Sequence, residues 1–141
     1  MSAYETWKTT YPLHAVVQIG DLPTLELDKE AYLPLINTID NERWLPIHYC
    51  CFEGHHEVLE WLLVNGSKVD AGNHFGSTPL HLVLGTGNLE CLKILLKYIT
   101  TKDQFNIRNE DRQIPRQMLM IAECNQAQMR LLLDEKEKEF Q

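Results

Sequence analysis

The stretch Gly76-Ser77-Thr78-Pro79-Leu80-His81 reads as the start of a short helix and sets the frame for the whole chain. Pro79 suits the first turn of a helix, where its missing N–H would have no partner anyway. Ser77 and Thr78 just ahead of it are good capping residues for that start. Gly87 stands eight residues after Pro79, where a left-handed residue ends the helix. A second helix follows, with Leu89, Leu92, Leu95 and Leu96 at helical spacing.

The same frame recurs on either side of this stretch. Tyr11-Pro12-Leu13-His14 and Leu45-Pro46-Ile47-His48 precede it, and Ile114-Pro115-Arg116-Gln117 follows. Glycine again follows the proline by eight residues at Gly20 and Gly54. The apolar trios Trp61-Leu62-Leu63, Ile94-Leu95-Leu96 and Leu131-Leu132-Leu133 come at matching places further on. A period of 33 to 36 residues marks a stacked-repeat architecture, in which each helix pair has an apolar face that it buries only against its neighbours.

With these residues in view, the chain resembles the ankyrin-repeat family. Gly76-Ser77-Thr78-Pro79-Leu80-His81 is similar to the family's Gly-x-Thr-Pro-Leu-His core, Gly54-His55 to its Gly-His turn, and Leu62-Leu63-Val64-Asn65-Gly66 to its helix end. The resemblance runs from Tyr11 to Leu133 and implies an all-α fold, a short ankyrin-repeat solenoid of helix–turn–helix units with hairpin-like tips. One domain over residues 1–141 is expected, divided near 7–39, 40–72, 73–108 and 109–136. The repeat motif is carried by Pro12, His14, Pro46, His48, Thr78, Pro79 and His81, with Gly20, Gly54 and Gly87 at the helix ends. The resemblance implies that the three histidines bridge neighbouring repeats, and that Asp70 and Asn106 hold turns near the tips.

The outer units depart from the pattern. Asp28 and Lys29 take places where the family has leucines, and Pro23 and Pro34 interrupt the second helix of unit one, which is expected short, bent or shifted. The link from Leu96 to Phe105-Asn106 is about three residues longer than the family norm. Unit four has Arg116-Gln117 in place of Leu-His and Cys124 in place of glycine. Its acidic and basic end, Asp134-Glu135-Lys136-Glu137-Lys138-Glu139, is expected to be a solvated, fraying helical cap.

Composition bounds the function. Of the 141 residues 44% are hydrophobic and 23% charged, the balance of a globular protein, and the net charge is −7. No face rich in Lys and Arg emerges to meet phosphates, so no nucleic-acid partner is expected. The apolar runs are too short for membrane insertion, and no secretory signal is visible. The expected location is intracellular, cytoplasmic or nuclear, with Cys50, Cys51, Cys91 and Cys124 all reduced.

His48, Cys50, Cys51, His55 and His56 invite a zinc reading. They lack paired-ligand spacing, because His56-Glu57-Val58-Leu59-Glu60 has no second histidine. Cys50 and Cys51 instead fill the small-residue slot of the repeat, and Cys91 falls among core positions. Cys124 is the cysteine expected to be exposed and reactive, with no base placed beside it. No phosphate loop, nucleophile elbow or carboxylate pair occurs, so the chain is read as no enzyme, with no cofactor, no metal and no small-molecule substrate.

The expected function is a protein–protein interaction module, an adaptor or scaffold that acts as a monomer and binds another protein on its concave face. The tips 40–44, 73–77 and 109–113 and the exposed ends of the first helices carry that surface in the family. Trp44, Phe52 and Phe75 are its expected anchors, since aromatics dominate interface energetics. Glu42, Arg43, Glu53, His74, Asp111 and Arg112 form the expected polar rim. The alternatives are a stoichiometric inhibitor of a kinase or transcription factor, and a host-directed microbial or viral ankyrin effector.

Overall fold

A computed structural model describes all 141 residues. It is helical throughout, with no strand. The chain opens with a helix outside the expected pattern, α1 (Ala3–Thr10), whose start is capped by the Ser2 hydroxyl accepting from the Glu5 N–H at 3.1 Å. The proline-led helices follow as expected: α2 (Pro12–Ile19), then, further on, α5 (Pro46–Glu53) and α7 (Pro79–Thr86). Between α2 and α5 the second half of unit one breaks into α3 (Leu22–Leu27), α4 (Lys29–Tyr32) and a 3-10 turn, Leu33–Leu35. Pro34 lies in the 3-10 turn as expected, but Pro23 sits in the first turn of α3 and does not interrupt it; the break falls at Asp28, between α3 and α4.

The central units are regular. α5 pairs with α6 (His56–Val64), and α7 with α8 (Leu89–Tyr98). After α8 the longer link folds into an extra turn, α9 (Lys102–Phe105). The Thr101 hydroxyl accepts from the Gln104 N–H at 3.2 Å, and the Gln104 side chain accepts from the Thr100 and Thr101 N–H groups. The first element of unit four is a 3-10 segment, Pro115–Ile121, and α10 (Gln126–Lys138) closes the chain.

Two layers result. In one, α2 packs on α5, α5 on α7, and α7 on the 3-10 segment; in the other, α3 packs on α6, α6 on α8, and α8 on α10. The repeated core positions explain the order. Leu13, Ile47 and Leu80, each one residue after the proline, are buried, as are Val17, Cys51 and Leu84 four residues later. Burial of such side chains contributes about 1.5–3 kcal/mol each.

At the far end the column changes character because one face meets water. Arg116 takes the place of the buried leucine and reaches Asp134 at 2.9 Å and Glu137 at 3.2 Å on α10. Of the trio Leu131-Leu132-Leu133, Leu133 is buried and Leu131 exposed, while Met129 fills the core one turn earlier. The charged stretch 134–139 is solvated and helical through Lys138, as expected, but the residue after it is tied down. Phe140 packs on buried Phe105 with ring centroids 5.7 Å apart, which ties the end of α10 to α9. No helix is long and apolar enough to cross a membrane.

Candidate functional site

Three tips repeat one geometry. In each, the first residue donates its N–H to the carbonyl of the fifth: Asp40 to Trp44, Asn73 to Ser77 and Asn109 to Gln113, all at 3.0 Å. The first side chain also accepts from two N–H groups inside the turn. Asp40 Oδ1 accepts from Glu42 and Trp44, Asn73 Oδ1 from Phe75 and Ser77, and Asn109 Oδ1 from Asp111 and Gln113, at 2.9–3.1 Å. A short polar side chain that can bond to backbone two residues on is what such a turn requires. The turn-holding role expected for Asp70 and Asn106 thus belongs to Asp40, Asn73 and Asn109. Asp70 instead accepts from Gln104, and Asn106 donates to the Lys102 carbonyl at the end of α9.

The fourth tip residue is left-handed every time, with φ of 63° at Arg43, 71° at Gly76 and 62° at Arg112. Arg43 and Arg112 are exposed, as expected for a rim, yet each holds a conformation that suits glycine better. The tips also abut: the Glu110 N–H donates to the Phe75 carbonyl at 2.9 Å.

The layer beneath fixes the tips. His14 Nε2 lies 2.9 Å from the Trp44 carbonyl, His48 Nε2 2.7 Å from that of Ala71, and His81 Nε2 2.8 Å from that of Gln113. Nδ1 of His48 accepts from the Leu45 N–H, and Nδ1 of His81 from the Thr78 N–H. Nε2 is therefore the donor and these rings are neutral. Burial lowers the pKa of all three histidines, that of His48 to about 4. A second ladder runs backwards. His55 Nε2 binds the Gln18 carbonyl, Asn88 Nδ2 the Cys51 carbonyl and Asn125 Nδ2 the Gly87 carbonyl, at 2.7–2.9 Å. The helix-ending glycines answer to this ladder as well as to their turn. A Cβ on Gly20 would come within 2.5 Å of the His55 ring, and one on Gly87 within 2.7 Å of Cys124 Sγ.

The histidine–cysteine cluster is thereby assigned to structure. Cys50 and Cys51 are buried, the Cys50 thiol donates to the His55 carbonyl, and burial pushes both thiols up. Cys91 is buried and its thiol is pushed up to about 12, again by burial. Cys124 is exposed, with Sγ 3.6 Å from the Gly87 carbonyl. No group of three or more His, Cys, Asp and Glu side chains converges as metal ligands would.

Over this frame lies a connected aromatic seam. Trp44 sits 6.0 Å from Phe52 and 6.4 Å from His74, and His74 sits 3.7 Å from Phe75, between ring centroids. The expected anchors are thus brought together, but not on equal terms. Phe52 and Phe75 are 50% and 56% exposed. The outward placing expected for Trp44 is corrected, since its indole is half-buried against His48 and Tyr49 and donates from Nε1 to His74 Nδ1 at 3.0 Å. An indole packs and donates wherever a partner is in reach, so its residue type alone could not separate the two roles. Glu42 and Glu53 are exposed beside the seam, and Asp111 and Arg112 lie one tip further on.

The residue that reading the sequence missed is Asp40. Its buried carboxylate takes four donors: the N–H groups of Glu42 and Trp44 on Oδ1, and Trp7 Nε1 (3.0 Å) and the Tyr49 hydroxyl on Oδ2. Burial alone would raise its pKa, but the bonds from Tyr49, Trp44, Trp7 and Glu42 outweigh burial and hold it below the usual carboxylate range. A signal was present, because Asp40, Asn73 and Asn109 recur at the same place before each tip.

Comparison with known proteins agrees with this geometry. The family model of ankyrin repeats matches residues 47–141 in three copies. The target of rapamycin complex 2 subunit AVO2 of Saccharomyces cerevisiae is 25% identical over 134 residues, 95% of this chain and 32% of that protein. The ankyrin repeat domain-containing protein 13B of Mus musculus is 32% identical over 88 residues, 62% of this chain and 14% of that protein. Ankyrin repeat protein OPG189 of vaccinia virus is 27% identical over 75 residues, 53% of this chain and 13% of that protein. The chain spans about a third or less of the length of these relatives.

Proposed function

Since the chain belongs to the ankyrin-repeat family, whose repeats are protein–protein interaction modules, we propose that it is an adaptor or scaffold that holds another protein against its tips and first helices. The observation that carries this is the exposure of Phe52 and Phe75 at the two ends of an aromatic seam that is otherwise packed. Large side chains on a rigid frame bind with little ordering cost. Glu42, Arg43, Glu53, His74, Asp111 and Arg112 form the polar rim in this proposal, and Trp44 supports the anchors from below. An adaptor role is supported by the likeness to AVO2, which is named as a subunit of a complex. The host-directed viral effector is the second reading; likeness to an ankyrin repeat protein of vaccinia virus favours it, and it predicts that the captured partner is a host protein.

In the same proposal residues 1–141 are one domain, with the part before residue 47 a divergent first unit behind its own cap. The chain acts there as a monomeric, non-catalytic module inside the cell, in cytoplasm or nucleus; its four unpaired cysteines suit that setting. The test is affinity capture with the wild type and with Phe52→Ala/Phe75→Ala. Both side chains are half in solvent, so the double variant should keep its circular dichroism and thermal midpoint. Loss of a captured partner is the expected result, and equal capture by both proteins would contradict the placement.

A further inference from the structure

We infer that the surface docked here is an extended basic segment of the partner, with Arg or Lys side chains laid over Phe52 and Phe75; this rests on the function proposed above. Charge is the first ground. Glu42 and Glu53 flank the seam, and Glu110 is bonded through its backbone to Phe75 with Asp111 beside it. All four carboxylates are exposed, and none takes part in any of the ion pairs of the structure. Arg43 and Arg112 oppose them among the tip residues, and Arg108 donates to the Arg112 carbonyl at 2.7 Å close by, so the face keeps a small acidic excess within a chain whose net charge is −7. Such a face attracts a basic partner and repels both nucleic acid and a second copy of itself.

Shape is the second ground. From Phe52 through Trp44 and His74 to Phe75 the ring centroids step by 6.0, 6.4 and 3.7 Å. An extended peptide of about five residues covers such a path. Exposed phenylalanine faces beside free carboxylates suit a guanidinium or ammonium group, which stacks on the ring while its N–H groups reach the carboxylate.

A displayed library of random peptides selected on the immobilised full chain tests this. Selected peptides should be rich in Arg and Lys. Their affinity should fall about fivefold for each of Glu42→Lys and Glu53→Lys, the upper range for an exposed ion pair, fall again in raised salt, and vanish in Phe52→Ala/Phe75→Ala. Acidic or uncharged peptides whose binding vanishes in the phenylalanine variant overturn the basic-segment inference and leave the proposed site standing. Peptides that bind the phenylalanine variant as well as the wild type overturn the site itself. Selection of no peptide above background also overturns the inference, since a segment of this kind would be represented in the library.

Discussion

Arg43, Gly76 and Arg112 occupy one place in three successive tips, and all three backbones are left-handed there. A side chain in that region costs roughly 1–2 kcal/mol, against about 0.5–1 kcal/mol for the extra freedom glycine gains on unfolding. Arg112→Gly should therefore raise stability by about 0.5–1 kcal/mol in urea unfolding. Gly76→Ala should lower it by about 1–3 kcal/mol, because the added Cβ would lie 3.0 Å from the Glu110 nitrogen as well as carrying the strain. A loss in the first variant, or no change in the second, would contradict the shared tip geometry. Read from residue type alone, Arg43 and Arg112 were rim charges; their backbone role shows only when the tips are superposed on Gly76.

Among the elements, α1 is the one with no counterpart in the repeat pattern, and it has no buried residue of its own. Its attachment runs through Trp7, which stacks edge-on against Tyr49 at 5.4 Å and donates to Asp40. Asp40→Asn keeps the Oδ1 acceptor of the turn but puts an amide where Oδ2 stood. The Tyr49 hydroxyl is able to reverse and accept; the Trp7 N–H is left without an acceptor. The variant should lose about 2 kcal/mol and release α1, read as faster amide exchange over residues 3–10 with α5 to α8 unchanged. Unchanged exchange in α1 would show that Trp7 is held by packing alone. The helices of units two and three were legible beforehand because proline, glycine and leucine columns recur within one unit length. α1 was not, since its anchor lies 33 residues away from Trp7 and leaves no periodic trace. The α9 turn left a readable trace, the Thr101–Gln104 capping pair, masked by the family's shorter link.

For the whole molecule, the histidine column links stability to acid. The folded state holds His14, His48 and His81 neutral with pKa values below the 6.5 of the unfolded chain. Between those values the unfolded chain binds more protons, so stability is full above about pH 6.5 and falls as the pH drops toward 4. His48 alone accounts for a loss on the order of 3 kcal/mol by pH 4. Urea midpoints across that window should fall steadily in the wild type and more shallowly in His48→Gln; a flat wild-type profile would contradict the neutral bridging rings. The stack was legible as a whole from its period, while the division of the aromatic seam into packed Trp44 and exposed Phe52 and Phe75 depended on contacts between tips some thirty residues apart. A protein partner seated on that exposed side would shield its amides, so hydrogen exchange of this chain, alone and saturated with a captured partner, decides the placement. Slowed exchange should concentrate in the tips 40–44, 73–77 and 109–113 and the end of α5, with α6, α8 and α10 unchanged. Protection confined to α8 and α10, with the tips unaffected, would contradict it.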